Sequence, residues 1–145
     1  SFESKIKKYE HAIAQNSPNL LCRSAFKFIY ELVARDKHQV FCHNDLNLSN
    51  IMYSDDIFFI DWDYAGFNHP YFDLALLFNA MNLTSNEEYS FLTIYADQEN
   101  DIDHELLKEY KKMSLYVEYL WIVVTSSQEN PKYVTRFDEL STLLR

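Results

Sequence analysis

The sequence predicts an α+β fold that is mostly helical and contains one small β-hairpin. Apolar residues recur at intervals of three and four through the first 35 residues and again from residue 73 onward, which is the period of helices packed on a core. Between them, short β-branched and aromatic runs flank the turn sequence Ser54-Asp55-Asp56, as in a hairpin. A length of 145 residues with 48% hydrophobic residues fits one domain over residues 1–145.

The N-terminal part is predicted to form two helices and a short strand. The segment 16–19, with sequence NSPN, divides the two helices. Residues 40–42 predict the strand. Residues 43–50, with sequence HNDLNLSN, are polar and lack a helical stripe, so they predict a loop, called here the HND loop.

The hairpin is predicted to pair residues 51–53 with residues 57–60. If Tyr53 lies opposite Phe58, then Asn50 lies opposite Asp61 at the open end of the hairpin. The HND loop precedes that same end, so the polar residues of both segments are expected to meet there.

The remainder is predicted to be helical after an irregular stretch that ends near Pro70. A buried helix is expected from about Asp73, a capping box at Ser85 and Glu88 opens the next helix, and a last helix follows Pro131. The long helix over residues 106–124 has Asp101 or Asp103 as its predicted N-cap.

Composition excludes several classes of protein. The single glycine, Gly66, is too few for a P-loop or a dinucleotide-binding loop. A formal charge of −9 disfavours nucleic acid and anionic membrane surfaces as partners and favours a small cation. Two cysteines in apolar stretches indicate reduced core thiols, and a polar start without a long apolar run predicts a soluble, cytoplasmic protein.

Four polar residues are expected to share one small volume at the open end of the hairpin. They are Asp45, Asn50, Asp61 and Asp63. Three carboxylates in one place repel one another unless a cation lies among them, and carboxylate and amide oxygens suit Mg²⁺. The sequence therefore predicts a magnesium site.

The same residues carry a resemblance to a known family. The HND loop, followed by IDWDY at residues 60–64 and FDLA at residues 72–75, resembles the C-terminal lobe of choline and ethanolamine kinases. These belong to the wider group of aminoglycoside-phosphotransferase-like kinases, and the HND sequence with IDWDYAGFNHP is most similar to bacterial-type choline kinases. The resemblance implies a protein-kinase-like C-terminal lobe whose hairpin carries the catalytic and metal residues.

The resemblance also implies an ATP-dependent phosphoryl transfer to a small cationic amino alcohol, choline first and ethanolamine next. It implies Asp45 as the catalytic base and Asn50 and Asp61 as the Mg²⁺ ligands. Asp63, in place of the family's commoner glutamate, is given a supporting role. His43 is implied to anchor the loop.

Further roles follow from the same resemblance. Asp73 is expected to fix loop backbone, although an N-cap on the following helix is an equal reading of that position. Tyr64 and Trp121 offer aromatic faces to the substrate cation, with core packing as the alternative. Glu118 offers a negative charge, with a solvated surface position as the alternative.

A kinase of this kind also needs an N-terminal lobe with a glycine-bearing loop and a phosphate-binding lysine. Neither is found here, so the chain is expected to be a lobe of a longer kinase, nearly inactive when isolated, with a stand-alone lobe as the alternative. Two alternatives remain open: a kinase for aminoglycosides, thiamine or another hydroxylated small molecule, and a non-catalytic kinase-like binding lobe.

Overall fold

The computed structural model describes residues 1–15, 18–96, 102–125 and 130–145, and it confirms the mostly helical α+β fold. Six helices and four three-residue strands occur within these ranges. They are α1 (Phe2–Ala14), α2 (Leu20–Arg35), β1 (Val40–Cys42), β2 (Ile51–Tyr53), β3 (Ile57–Phe59), β4 (Gly66–Asn68), α3 (Pro70–Met81), α4 (Ser85–Tyr95), α5 (His104–Val124) and α6 (Pro131–Leu143). No helix in the described part of the chain is both long and apolar enough to cross a bilayer.

The chain divides into two compact units. The first unit combines residues 1–38 with residues 112–145, and the second comprises residues 39–111. The predicted division of the first two helices at residues 16–19 agrees with the ends of α1 and α2, although residues 16 and 17 lie outside the described part.

The first unit is helical, and its core comes from the apolar stripes that the sequence shows. Ile6, Ile29 and Leu140 are completely or almost completely buried. Asn19 caps α2 by accepting the N–H of Cys22 at 2.8 Å, and its own amide donates to the hydroxyl of Tyr119 at 2.9 Å. Burial of these side chains, rather than helix propensity, supplies most of the stability of such helices.

The second unit contains all four strands. β2 and β3 form the predicted hairpin, and β1 pairs with β4 antiparallel, with Phe41 opposite Phe67. Strand β4 falls in a stretch that was predicted to be irregular. Its partner lies far away in the sequence, so neither strand has a turn sequence beside it that signals the pairing.

The predicted hairpin register is wrong by one residue. Tyr53 pairs with Ile57, and the chain turns over three residues, with the N–H of Ser54 donating to the oxygen of Asp56 at 3.1 Å. The side chain of Asp56, the last residue of the turn, accepts the N–H of Ile57 at 2.8 Å. Asn50 therefore lies opposite Ile60, whose N–H donates to the oxygen of Asn50 at 3.0 Å.

Two helix starts also differ from the prediction. Helix α3 begins at Pro70, because His69 accepts the N–H of Tyr71 at 3.1 Å and so serves as the N-cap. The capping box of α4 pairs Thr84 with Glu87, one residue before the predicted pair. Threonine and serine are both good N-caps, so adjacent positions compete, and the sequence alone does not separate them.

The start of the long helix agrees with one of the two predicted caps. Asp103 accepts the N–H of Leu106 at 2.9 Å, so Asp103 caps α5. The other candidate, Asp101, lies outside the described residues.

Candidate active site

The HND loop places Asp45 against Asn50. The side chain of Asn47 accepts the N–H of Ser49 at 2.9 Å and starts a short 3₁₀ helix over Leu48–Asn50, which returns the chain toward Asp45. The amide nitrogen of Asn50 then donates to the main-chain oxygen of Asp45 at 2.9 Å and to its carboxylate at 3.0 Å. One carboxylate oxygen of Asp45 is therefore oriented by a buried amide.

Two hydrogen bonds join the HND loop to the end of the hairpin. Ile60 donates its N–H to Asn50, as described, and its oxygen accepts from Nε2 of His43 at 2.8 Å. Asp61 follows directly, with a left-handed backbone at φ 61° and ψ 64°, and its side chain makes no capping hydrogen bond. Asp61 is thus the residue directly after Ile60, which is hydrogen-bonded to Asn50.

His43 is a buried histidine with one unpaired nitrogen. A carbonyl oxygen can only accept, so the contact with Ile60 places the proton on Nε2. The other nitrogen, Nδ1, is buried and has no hydrogen-bond partner among the described residues. The ring packs on Trp62 with centroids 4.7 Å apart. This arrangement is compatible with the predicted anchoring role.

Asp73 holds the backbone at the start of the HND loop. Its carboxylate accepts the N–H of His43 at 2.7 Å and the N–H of Asn44 at 2.8 Å, one on each oxygen. Burial raises the pKa of this carboxyl above its ordinary value, and the two N–H bonds oppose that rise. The N-cap reading of Asp73 is wrong, because α3 already begins at Pro70 and His69 caps it.

The buried thiol of Cys42 lies beside this carboxylate. Burial, with a smaller contribution from the charge of Asp73, raises the pKa of Cys42 to about 12. The thiol donates to the main-chain oxygen of Asn68 at 3.4 Å. Cys22 is also buried and free, so both thiols are reduced core residues, as the sequence predicts.

The crowding of three carboxylates predicted from the sequence is not found. No group of three or more His, Cys, Asp or Glu side chains within the described ranges could hold a metal ion. The physical reason is the hairpin register, which places Ile60 rather than Asp61 opposite Asn50. Asp63 lies two residues after Asp61 and is exposed, in the 3₁₀ helix Trp62–Tyr64.

The remaining donor set still suits Mg²⁺. The amide nitrogen of Asn50 is directed toward Asp45, so the planar amide directs its oxygen to the other side. The carboxylate of Asp61 is exposed to solvent. Because Mg²⁺ in phosphoryl-transfer sites is bound through one or two protein oxygens together with phosphates and water, a cage of three protein carboxylates is not required.

Asn44 is a residue of this site that the sequence analysis missed. It is buried, has φ 63°, and donates its side-chain amide to the oxygens of Tyr64 at 3.2 Å and Gly66 at 3.1 Å. Its own oxygen accepts from the amide of Asn68 at 2.8 Å. The available signal was an asparagine in a tight polar loop, since asparagine tolerates positive φ better than most residues.

The three predicted substrate-binding residues lie in different units. Tyr64, in the second unit, is 46% exposed. In the first unit, Glu118 accepts from Nε of Arg136 at 2.9 Å and from Nη2 at 2.7 Å. Trp121 packs edge-on against Tyr133, with centroids 5.4 Å apart. A substrate cation at Glu118 would therefore share the carboxylate with Arg136.

Comparison with known proteins identifies the class of protein. Residues 6–110 match the model of the phosphotransferase enzyme family, and the chain belongs to that family.

Curated relatives and solved structures give a finer likeness. The chain is 35% identical over 91 residues to Protein LicA of Haemophilus influenzae, a match that covers 57% of the chain and 34% of LicA. It is 36% identical over 83 residues to mouse Ethanolamine kinase 1, covering 55% of the chain and 21% of that protein. The crystal structure of choline kinase LicA from Streptococcus pneumoniae matches with a TM-score of 0.76 and 31% identity over 97% of the chain.

These matches also show how the chain compares in length. It covers 53% of the Streptococcus LicA structure and about a third of the Haemophilus protein. The fold of the chain is therefore that of the kinase-like lobe in this structure.

Proposed function

We propose that the full-length protein is an ATP-dependent kinase that phosphorylates the hydroxyl group of a small amino alcohol. Choline is the first candidate acceptor and ethanolamine the second. The observation that carries the proposal is the contact between Asp45 and Asn50, on a loop whose backbone is held by Asp73 and whose end is joined to Asp61 through Ile60.

Asp45 is the base in this mechanism. Its carboxylate accepts the proton of the acceptor hydroxyl as the acceptor oxygen forms a bond to the γ-phosphorus and the bond from that phosphorus to the leaving ADP breaks. The amide of Asn50 keeps one oxygen of Asp45 oriented at 3.0 Å. Phosphoryl transfer requires little else from the protein than positioning and charge stabilisation.

Asn50 and Asp61 would hold Mg²⁺, which, when bound, neutralises charge on the phosphate oxygens. Both offer hard oxygen ligands, and the hydrogen bond from Ile60 to Asn50 keeps their backbones adjacent. Asp63 is assigned a supporting role near the same phosphates. The left-handed backbone at Asp61 is tolerated by aspartate at lower cost than by most residues.

The hairpin also bears on the rest of the kinase. Met52, Phe58 and Phe59 are each about half exposed, so apolar side chains of both strands face solvent. An exposed apolar patch of this kind indicates a surface that another part of a protein covers. We assign this surface to the N-terminal nucleotide-binding lobe of the full-length protein.

The proposal is tested by phosphate transfer with the full-length protein. ADP release is measured with choline, ethanolamine, thiamine and kanamycin as acceptors in the presence of Mg²⁺ and ATP. The highest kcat/KM is expected for choline. A preference for kanamycin or thiamine would support a kinase that acts on a different acceptor. Choline binding without phosphate transfer to any acceptor would support a non-catalytic binding lobe.

The predicted acceptor contacts are tested one at a time. Tyr64→Ala and Trp121→Ala are each expected to raise the KM for choline about 2- to 30-fold, the range for loss of one cation–π contact. The KM for ATP should not change. Tyr89→Ala is the matched control, because Tyr89 is 48% exposed on α4, close to the exposure of Tyr64, and has no assigned role. An unchanged KM for choline would mean that the substituted residue does not contact the acceptor and serves only in packing.

Glu118 calls for a different comparison. If its carboxylate attracts the acceptor cation, Arg136→Ala should lower the KM for choline by removing the competing guanidinium. If Glu118 serves only the ion pair with Arg136, the KM is unaffected.

A further inference from the structure

Asn44 joins the HND loop to the segment that carries Tyr64. The residue lies between His43 and Asp45 in the sequence and is only 4% exposed. Its amide nitrogen donates to two main-chain oxygens, those of Tyr64 at 3.2 Å and Gly66 at 3.1 Å. Two residues of the segment that follows Asp61 are thus bonded to the residue next to the proposed base.

The bonding capacity of Asn44 is used on both sides of its amide. Its oxygen accepts from Nδ2 of Asn68 at 2.8 Å, and the oxygen of Asn68 accepts the N–H of His69 at 2.9 Å. His69 is the N-cap of α3. Asn44 is therefore fixed by a chain of hydrogen bonds that ends at a helix terminus, and it can transmit that fixed position to Tyr64.

The backbone of Asn44 separates two possible roles. At φ 63° a glycine would adopt the same conformation at less cost than asparagine. If residue 44 were needed only for this turn, its side chain would be dispensable. The two bonds from a buried amide to Tyr64 and Gly66 give the side chain a separate task.

We infer that Asn44 is a positioning residue for the acceptor site, in which its side-chain amide holds the backbone of Tyr64 and thereby the ring that binds the acceptor cation. This inference rests on the proposed function, which assigns the ring of Tyr64 to the acceptor. Asn44 itself touches neither acceptor nor phosphate in this scheme.

The test compares Asn44→Gly with the wild-type full-length protein. Glycine retains the backbone conformation and removes the amide, so the KM for choline is expected to rise about tenfold while the KM for ATP stays within about twofold. Asn82→Gly is the matched control, because Asn82 has φ 50° as the C-cap of α3 and lies outside the site. It should change neither constant.

A double variant tests whether Asn44 acts through Tyr64. In the Tyr64→Ala background, Asn44→Gly is expected to raise the KM for choline by less than about twofold, because residues that act through one another are not additive. Additive effects of the two substitutions would overturn the inference. Equal rises in the constants for choline and ATP would also overturn it, since they would indicate general loosening of the site.

A second variant and a second readout keep the test decisive. Asn44→Asp retains the acceptor for Asn68 but cannot donate to Tyr64 and Gly66, so it should reproduce the effect if Asn44→Gly does not fold. Hydrogen exchange of the amides of residues 64–67 is expected to accelerate about tenfold in either variant. Unchanged exchange in a folded variant would overturn the inference.

The exchange measurement also separates this inference from the kinase proposal. If the wild-type protein transfers phosphate to no acceptor, the proposed function fails. Faster exchange at residues 64–67 in that case would still show that Asn44 holds the segment, and the assignment of Tyr64 to the acceptor would be the part that is lost.

Discussion

Asp45→Asn is expected to lower the turnover number of the full-length protein by a factor of about 10² to 10⁴, the range contributed by a positioned general base. Asparagine has the size of aspartate and retains one oxygen that can accept from the amide of Asn50, as the carboxylate does at 3.0 Å. The loop should therefore keep its conformation while losing the carboxylate that is proposed as the base. The KM values for ATP and choline are expected to change little, and steady-state kinetics measures both effects.

The control for this substitution is Asp55→Asn. Asp55 is an exposed carboxylate in the three-residue turn of the hairpin, so the change in charge is the same and the site is untouched. Its turnover should equal that of the wild type. If Asp45→Asn retained turnover within about twofold, a general-base role for Asp45 would be excluded.

Asp73→Asn is expected to destabilise the fold by about 1–3 kcal/mol, the cost of leaving a buried polar group unsatisfied. The two carboxylate oxygens each accept one backbone N–H, from His43 and from Asn44. An asparagine has only one side-chain oxygen, so its NH₂ group would lie against one of the two backbone N–H groups and leave that N–H without an acceptor. Urea unfolding followed by circular dichroism measures the loss, with Asp55→Asn again as the control.

The difference in unfolding free energy between the wild type and Asp73→Asn is also expected to depend on pH. Burial raises the pKa of Asp73 above its ordinary value of 3.8, so the folded state binds a proton more tightly than the unfolded state. The unfolding free energy contributed by this group is therefore greatest at low pH and falls as pH rises from 3.8 through the pKa of the folded state. The difference between wild type and Asp73→Asn should shrink over that window, because other groups cancel.

The opposite pH trend would contradict the explanation that burial determines the direction of the pKa shift of Asp73. A stability difference that grows with rising pH would mean that the two N–H bonds outweigh burial and that the pKa of Asp73 is lowered.

The helices were the most predictable part of the fold. Their apolar stripes recur over three or more turns, so the position of each helix is fixed by many residues at once, as with Leu106 to Val124 in α5. Their first residues were less predictable because single side chains decide them. His69 and Thr84 cap α3 and α4 by one hydrogen bond or one pair of bonds, and neighbouring residues could have done the same.

The strands show the limit of local information. The hairpin was predicted because β2 and β3 are adjacent, but its register depends on whether the turn takes three residues or four, and the structure has three. Strand β4 was missed because its pairing with β1 joins residues that are 24 to 28 positions apart. The error in register carried through to the expected crowding of carboxylates around Asn50.

For the candidate site, the sequence indicated which segments lie close together but not the hydrogen bonds that join them. The spacing of Asp45 and Asn50 indicated that both lie in one loop, and the structure adds the bond between them. The bonds from Asn44 to Tyr64 and Gly66 connect segments whose relation depends on β1 and β4, so no local pattern could indicate them.

The left-handed backbone at Asp61 restricts which amino acids the position can accept. Conformations of this kind cost most residues about 1–2 kcal/mol and are adopted readily by glycine, asparagine and aspartate. Glutamate has the same charge but not the same tolerance, so of these three residues only aspartate supplies an anion. If Asp61 holds Mg²⁺ as proposed, a related protein could exchange it for asparagine or glycine at little cost to folding, and such an exchange would mark the loss of the proposed metal ligand.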